Sequence, residues 1–222
     1  MRTLYHFPLC PFSRKVRFTL AEKGLNFNLV QENFWERRKS FAKLNPAMQV
    51  PVLVEPEGYI IPDSYAICEY LEKRYNETSL LGSSDLEAAG IRRLVSWFDS
   101  KFYNEVGNYL LNEKVVRYLT RIGEPQSNAI RAAKANLIPH LNYLKYLLCD
   151  HKWLMGEKIS MADITAAAHL SVVDYLGEIP WENYPEVKEW YAQAKSRPSF
   201  RPILQDKITG YAPPKCYADL DF

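Results

Sequence analysis

Strong charge of either sign is missing from this chain. Its 222 residues carry 28 basic and 26 acidic side chains, a formal net charge of +2. A surface so balanced exerts no general pull on nucleic acid or on an anionic membrane. Long apolar runs are missing too, since none approaches the roughly 18–20 residues that span a bilayer as a helix. The opening segment, Met1-Arg2-Thr3-Leu4-Tyr5-His6-Phe7-Pro8-Leu9, is too short and too interrupted for a secretory signal. Cysteine is scarce, and Cys10, Cys68, Cys149 and Cys216 show none of the spacings of a zinc site or a disulfide framework. These absences predict a cytoplasmic protein with reduced thiols, no metal, no transmembrane segment and no nucleic-acid partner. What the chain does have is 47% hydrophobic residues, ample for a core in one or two domains.

Strand and helix signals alternate over the first 75 or so residues. Residues 3–6 form a short β-type run, and Val16, Phe18, Leu20 and Ala21 then recur at helical spacing until Gly24 stops the helix. A second strand follows at 26–30 and a short helix at 38–44. A hairpin pairs 52–54 with 59–61 through the turn Glu55-Pro56-Glu57-Gly58, and a closing helix covers 64–74. This order predicts a four-stranded mixed sheet with helices on its faces. Beyond the polar linker at 76–84, strand signals become scarce. Helical periodicity marks 85–112, 113–121, 127–149, 161–176, 184–196 and a last turn near 200–204, so this half reads as all-α.

The densest local signal is Val50-Pro51-Val52-Leu53, followed by Asp63-Ser64. Pro51 has no backbone donor and belongs at the start or edge of a strand. A cis bond is cheap before proline, and in an ordered turn it leaves the preceding N–H and C=O pointing outward. Such a pair can take an extended peptide as one more strand. Asp63-Ser64 places a carboxylate and a hydroxyl where an apolar helix begins, a natural anion-binding position. Together the two elements describe a dock for a small acidic peptide. Farther on, Ser160 stands three residues before Asp163 with Ile159 and Ile164 at staple positions, so Ser160 and Asp163 read as a structural helix cap.

The βαβ–ββα half with Val50-Pro51 and Asp63-Ser64, joined to a helical half with Ser160-x-x-Asp163, resembles the cytosolic glutathione transferase family over essentially the whole chain. The resemblance implies an α/β thioredoxin-like N-terminal domain at 1–76 and an all-α C-terminal domain at 85–206, and the chain's own Pro-Pro ending reads as an extended tail at 207–222. It also implies a homodimer in which the sheet half of one subunit packs on the helical half of the other. Val50 and Pro51 would then bind the glutathione backbone, and Asp63 with Ser64 its γ-glutamyl end.

Cys10 lies in Leu9-Cys10-Pro11-Phe12-Ser13, at the turn into the first helix. The helix terminus together with nearby Arg14 and Lys15 is expected to favour a thiolate. The segment resembles the Cys-Pro-Phe turn of omega-type transferases and the Cys-Pro-x-Ser of monothiol glutaredoxins, which implies a catalytic Cys10 that forms a mixed disulfide with glutathione. The other reading of Cys10 is a small buried hydrophobe. Ser13 occupies the position of a second cysteine, which excludes an intramolecular disulfide mechanism. Tyr5, in an alternating strand, reads as a core aromatic.

The chain ends Pro213-Pro214-Lys215-Cys216-Tyr217-Ala218-Asp219-Leu220-Asp221-Phe222. An extended end with Leu220 and Phe222 exposed, bracketed by the carboxylates of Asp219 and Asp221, has the chemistry of a partner-docking motif; packing back on its own domain is the alternative. This ending, with Trp97-Phe98-Asp99-x-Lys101-Phe102 and the stretches 174–181 and 197–204, resembles the FtsZ-binding, transferase-fold cell-division factors of alphaproteobacteria. That resemblance implies a cytoplasmic homodimer at the division site, partnered by FtsZ and other divisome proteins. A Cys-type glutathione transferase or thiol transferase, with glutathione as substrate, is the alternative function.

Overall fold

The computed structural model describes residues 1–220. The first half builds a sheet of order β2-β1-β3-β4 from β1 (Arg2–His6), β2 (Phe27–Gln31), β3 (Val52–Val54) and β4 (Ile60–Pro62). β2 runs parallel to β1 through the crossover helix α1 (Pro11–Glu22), whereas β3 is antiparallel to both β1 and β4. A parallel neighbour needs such a crossover, but the β3–β4 pair closes through a tight turn in which Gly58 adopts φ +89°. The short helix α2 (Lys39–Ala42) precedes β3, and α3 (Ser64–Arg74) follows β4. This is the mixed four-stranded, thioredoxin-like arrangement.

The second half is helical, as the periodicity predicts. A continuous helical run at 85–120 contains α4 (Asp85–Ser96), α5 (Asn108–Leu111) and α6 (Arg117–Thr120), joined by wider π-helical segments at Trp97–Gly107 and Asn112–Val116. The sequence pattern separates helices near 112; the chain instead continues through a π segment. Of the four aromatics Trp97, Phe98, Phe102 and Tyr109 on this run, Phe98 and Phe102 are wholly buried in the core. Tyr109 stays 44% exposed, and Trp97 lies between these extremes. After α7 (Ser127–Leu147), α8 (Met161–Tyr175) is buried along its whole length, and its Thr165–Ala168 stretch of small side chains lets neighbouring helices approach. Helices α9 (Pro185–Ser196) and α10 (Arg201–Leu204) follow, then a 3₁₀ turn at Lys215–Ala218.

Burying α8 leaves the polar groups at its start without water, so they need internal partners. Asp163 supplies them. Its carboxylate accepts from the Ser160 N–H at 2.9 Å and hydroxyl at 2.8 Å, from the Leu154 N–H at 2.8 Å and from the Trp190 indole at 3.0 Å.

The tail departs from the expected extended form. Tyr217 is 1% exposed, its ring edge-on to Tyr175 at 5.1 Å, and Leu220 is half-buried against the core rather than exposed. Apolar burial of Tyr217 outweighs the freedom of the Pro-Pro segment before it. Asp221 and Phe222 lie outside the described residues.

Candidate functional site

The turn from β1 into α1 is closed by the Cys10 N–H donating to the Phe7 carbonyl at 3.0 Å, and Pro11 begins the helix where its missing donor costs nothing. Cys10 therefore sits at the cap, 7% exposed, with Sγ 3.8 Å from the Val50 carbonyl oxygen it faces. Burial pushes the Cys10 thiol above its ordinary range. The Ser13 hydroxyl, the Ser13 and Phe12 N–H groups and the Arg14 charge pull the other way without overcoming it. This corrects the expectation of a thiolate. Arg14 turns away to the Pro8 carbonyl at 2.7 Å, the Ser171 hydroxyl at 2.8 Å and Asp206 at 3.3 Å, and Lys15 pairs with Asp99. Both cations are engaged by these partners, and the Arg14 charge that still reaches the sulfur does not offset its burial.

Val50-Pro51 is a cis peptide. The preceding loop is tied by Asn45, whose side chain donates to the Gln49 carbonyl at 2.8 Å and accepts from the Ala47 N–H at 3.1 Å. Among the described residues, the Val50 N–H and the Ser64 hydroxyl make no hydrogen bond. Asp63 holds φ +75°, a left-handed conformation that costs a non-glycine residue on the order of 1–3 kcal/mol. The neighbouring helix compensates: Asp63 Oδ1 caps α3 by accepting from the Tyr65 and Ala66 N–H groups at 2.8 and 3.1 Å. Its second oxygen remains open beside Ser64.

The opposite wall comes from the π-helical segment. Asp99 and Tyr103 project from it, and Phe12 meets the Tyr103 ring edge-on at 4.7 Å and the His169 ring at 5.3 Å. Asp99 is bound on two sides, by Lys15 and by His169 Nε2 at 3.0 Å. Burial acts to raise the Asp99 carboxyl, but the His169 hydrogen bond and the Lys15 charge hold it below its usual value. Burial keeps His169 below its own usual value and hence neutral, so its Nε2–H donates to Asp99. The Tyr103 hydroxyl is pushed up to about 12, by burial first and by the nearness of Cys10 second.

These walls enclose a cleft of about 600 Å³, open to solvent and lined by Cys10, Val50, Pro51, Asp63 and Ser64 on one side and by Asp99, Tyr103 and Leu111 on the other. The cleft offers an unpaired strand-like backbone donor, a carboxylate–hydroxyl corner, a thiol and an aromatic wall. That set suits a small thiol peptide. Among the described residues no cluster of His, Cys, Asp and Glu could hold a metal ion. Ser160 and Asp163 lie apart, at the start of α8, and in the tail Asp219 is exposed while Leu220 is half-buried. Tyr5 packs on Phe41 at 5.9 Å, outside the cleft lining. Sequence reasoning missed Asp99, Tyr103 and His169 as site residues, and placed Lys15 beside Cys10 without its partner Asp99. A signal existed: Asp99 stands between the buried Phe98 and the Ser-Lys-Phe that follows, and Lys15 directly precedes the apolar Val16, so each charge interrupts a core-facing pattern.

Family models match in both halves. The glutathione S-transferase N-terminal domain covers residues 4–79 and the C-terminal domain covers 113–198. Among curated proteins, the chain is 47% identical to FtsZ-localized protein A of Caulobacter vibrioides, spanning 100% of this chain and 98% of that protein. It is 27% identical to maleylacetoacetate isomerase of Pseudomonas aeruginosa, over 89% of this chain and 93% of that one. Among solved structures, a glutathione S-transferase from Rhodospirillum rubrum superposes with a TM-score of 0.97 at 52% identity, covering 100% of both chains. FzlA from C. crescentus superposes with a TM-score of 0.97 at 47% identity, covering 100% of this chain and 99% of that one.

Proposed function

The chain belongs to the glutathione S-transferase family, and from that premise we propose that it is a transferase-fold regulator of bacterial cell division that binds FtsZ filaments. One observation carries the reading. The likeness to FtsZ-localized protein A runs the full length at 47% identity, whereas maleylacetoacetate isomerase reaches 27%. In this reading the protein acts as a cytoplasmic homodimer at the division site, with Asp219, Leu220, Asp221 and Phe222 as a second contact for the division machinery.

Glutathione, which this family binds, fits the cleft as a ligand. The Val50 backbone takes the peptide as an added strand, and the open Asp63 oxygen with the Ser64 hydroxyl takes the γ-glutamyl end. Thiol transfer through Cys10 is less supported. A buried thiol held above its ordinary range, with both neighbouring cations engaged elsewhere, is a poor nucleophile.

Co-sedimentation tests the function directly. Purified protein is expected to pellet with GTP-polymerised FtsZ and to remain in the supernatant with unpolymerised FtsZ. Pelleting no higher than background with polymer present would end this reading.

A further inference from the structure

The segment from Arg197 to Tyr217 runs antiparallel along α1, one contact after another. Arg197 and Ser199 bond Glu22 at the end of α1, and Phe200 meets Phe18 edge-on at 5.1 Å. Asp206 takes Arg17 at 2.7 Å and Arg14 at 3.3 Å, and Tyr217 is buried where its hydroxyl faces the Arg14 charge. Arg14 in turn donates to the Pro8 carbonyl, in the same turn that carries Cys10. The C-terminal segment thus reaches the back of one cleft wall.

The same segment also touches the helical run that carries the other wall. At 208–211 a tight turn is clamped by the Tyr175 hydroxyl, which accepts from the Ile208 N–H at 3.0 Å and donates to the Tyr211 carbonyl at 2.8 Å. Gly210, at φ +80°, lies against the hydroxyl end of the exposed Tyr118 side chain, and a Cβ there would collide with it. Tyr118 is on α6, in the run that carries Asp99, Tyr103 and Leu111, about two turns beyond Leu111.

The geometry points to the C-terminal segment as a brace that sets the spacing of the two cleft walls, and so as the element through which the tail and the cleft influence each other. A partner that pulls on the terminus changes the cleft, and a ligand that shifts either wall changes the hold on the tail, by equal factors in binding. The brace rests on contacts within the chain and is independent of FtsZ binding.

Amide hydrogen exchange on the full chain without ligand tests it, comparing wild type with Tyr217→Ala and with Gly210→Ala. Asp206→Asn serves as a third variant should Tyr217→Ala fail to fold. Each is expected to speed exchange at least ~5-fold in both 10–16 and 99–111, as well as in 205–218. Phe27→Ala, a destabilising change on β2, is the control and is expected to leave 99–111 unaltered. Faster exchange confined to 205–218, or a control that speeds 99–111 equally, would overturn the brace. Either result leaves the FtsZ reading standing, just as failed pelleting leaves the brace standing.

Discussion

Arg14 and Lys15 are fully buried, and each finds its counter-charge on the helical half, at Asp206 and Asp99. Those partners lie 192 and 84 residues away in sequence. That distance is why the environment of Cys10 was illegible in the sequence. Next to Cys10 the two cations look free, and only the fold reveals that they are paired. Val50-Pro51 and Asp63-Ser64 were legible because their geometry is set locally, by a proline ring and a helix cap. At pH 7.5 Cys149, which is exposed, is expected to react with iodoacetamide at least ~10-fold faster than Cys10. Mass spectrometry of the alkylated peptides reads both rates. Equal rates would restore Cys10 as an activated nucleophile.

At the scale of elements, the helices were read well wherever one apolar face repeats, and least well along 85–120. There the helix changes width without a proline, glycine pair or cap to announce it. π-Helical segments are frequent at functional sites, and here one supplies the cleft wall with Asp99 and Tyr103. The helix α8 is the opposite case. Its apolar and small residues marked it as central, and its cap was written in Ser160-x-x-Asp163. Ser160→Ala is expected to lower stability by about 1–2 kcal/mol, the usual cost of a lost cap. Asp163→Ala strands four donors in the interior and is expected to cost ~3 kcal/mol or more. Urea denaturation reads both as a lowered midpoint at an unchanged slope. A loss below about 0.5 kcal/mol for Asp163→Ala would contradict the accounting.

For the molecule as a whole, the two halves meet across buried charge as well as apolar surface. His6, at the end of β1, lies in this region. Burial lowers it to about 4, with the Arg17 charge adding to the effect. An unfolded histidine takes up its proton near 6.5, so His6 contributes stability in full above that pH. The contribution is lost as pH falls from 6.5 through 4, on the order of 1–3 kcal/mol. His6→Phe is expected to flatten that limb of a stability-versus-pH curve measured by urea titration. An unchanged limb would place the acid sensitivity elsewhere.

The ion pairs along α1 also bear on how such a chain can change over generations. Removing one partner from a buried pair costs about 3–5 kcal/mol. Shuffling either half for that of a distant cousin would strand Arg14, Arg17 and Lys15 together unless the incoming piece carried carboxylates at the places of Asp99 and Asp206. The two halves are therefore expected to fold well only as a matched pair. A gene fusion or recombination breakpoint at 76–84, convenient as that linker looks, separates partners that neither half can replace.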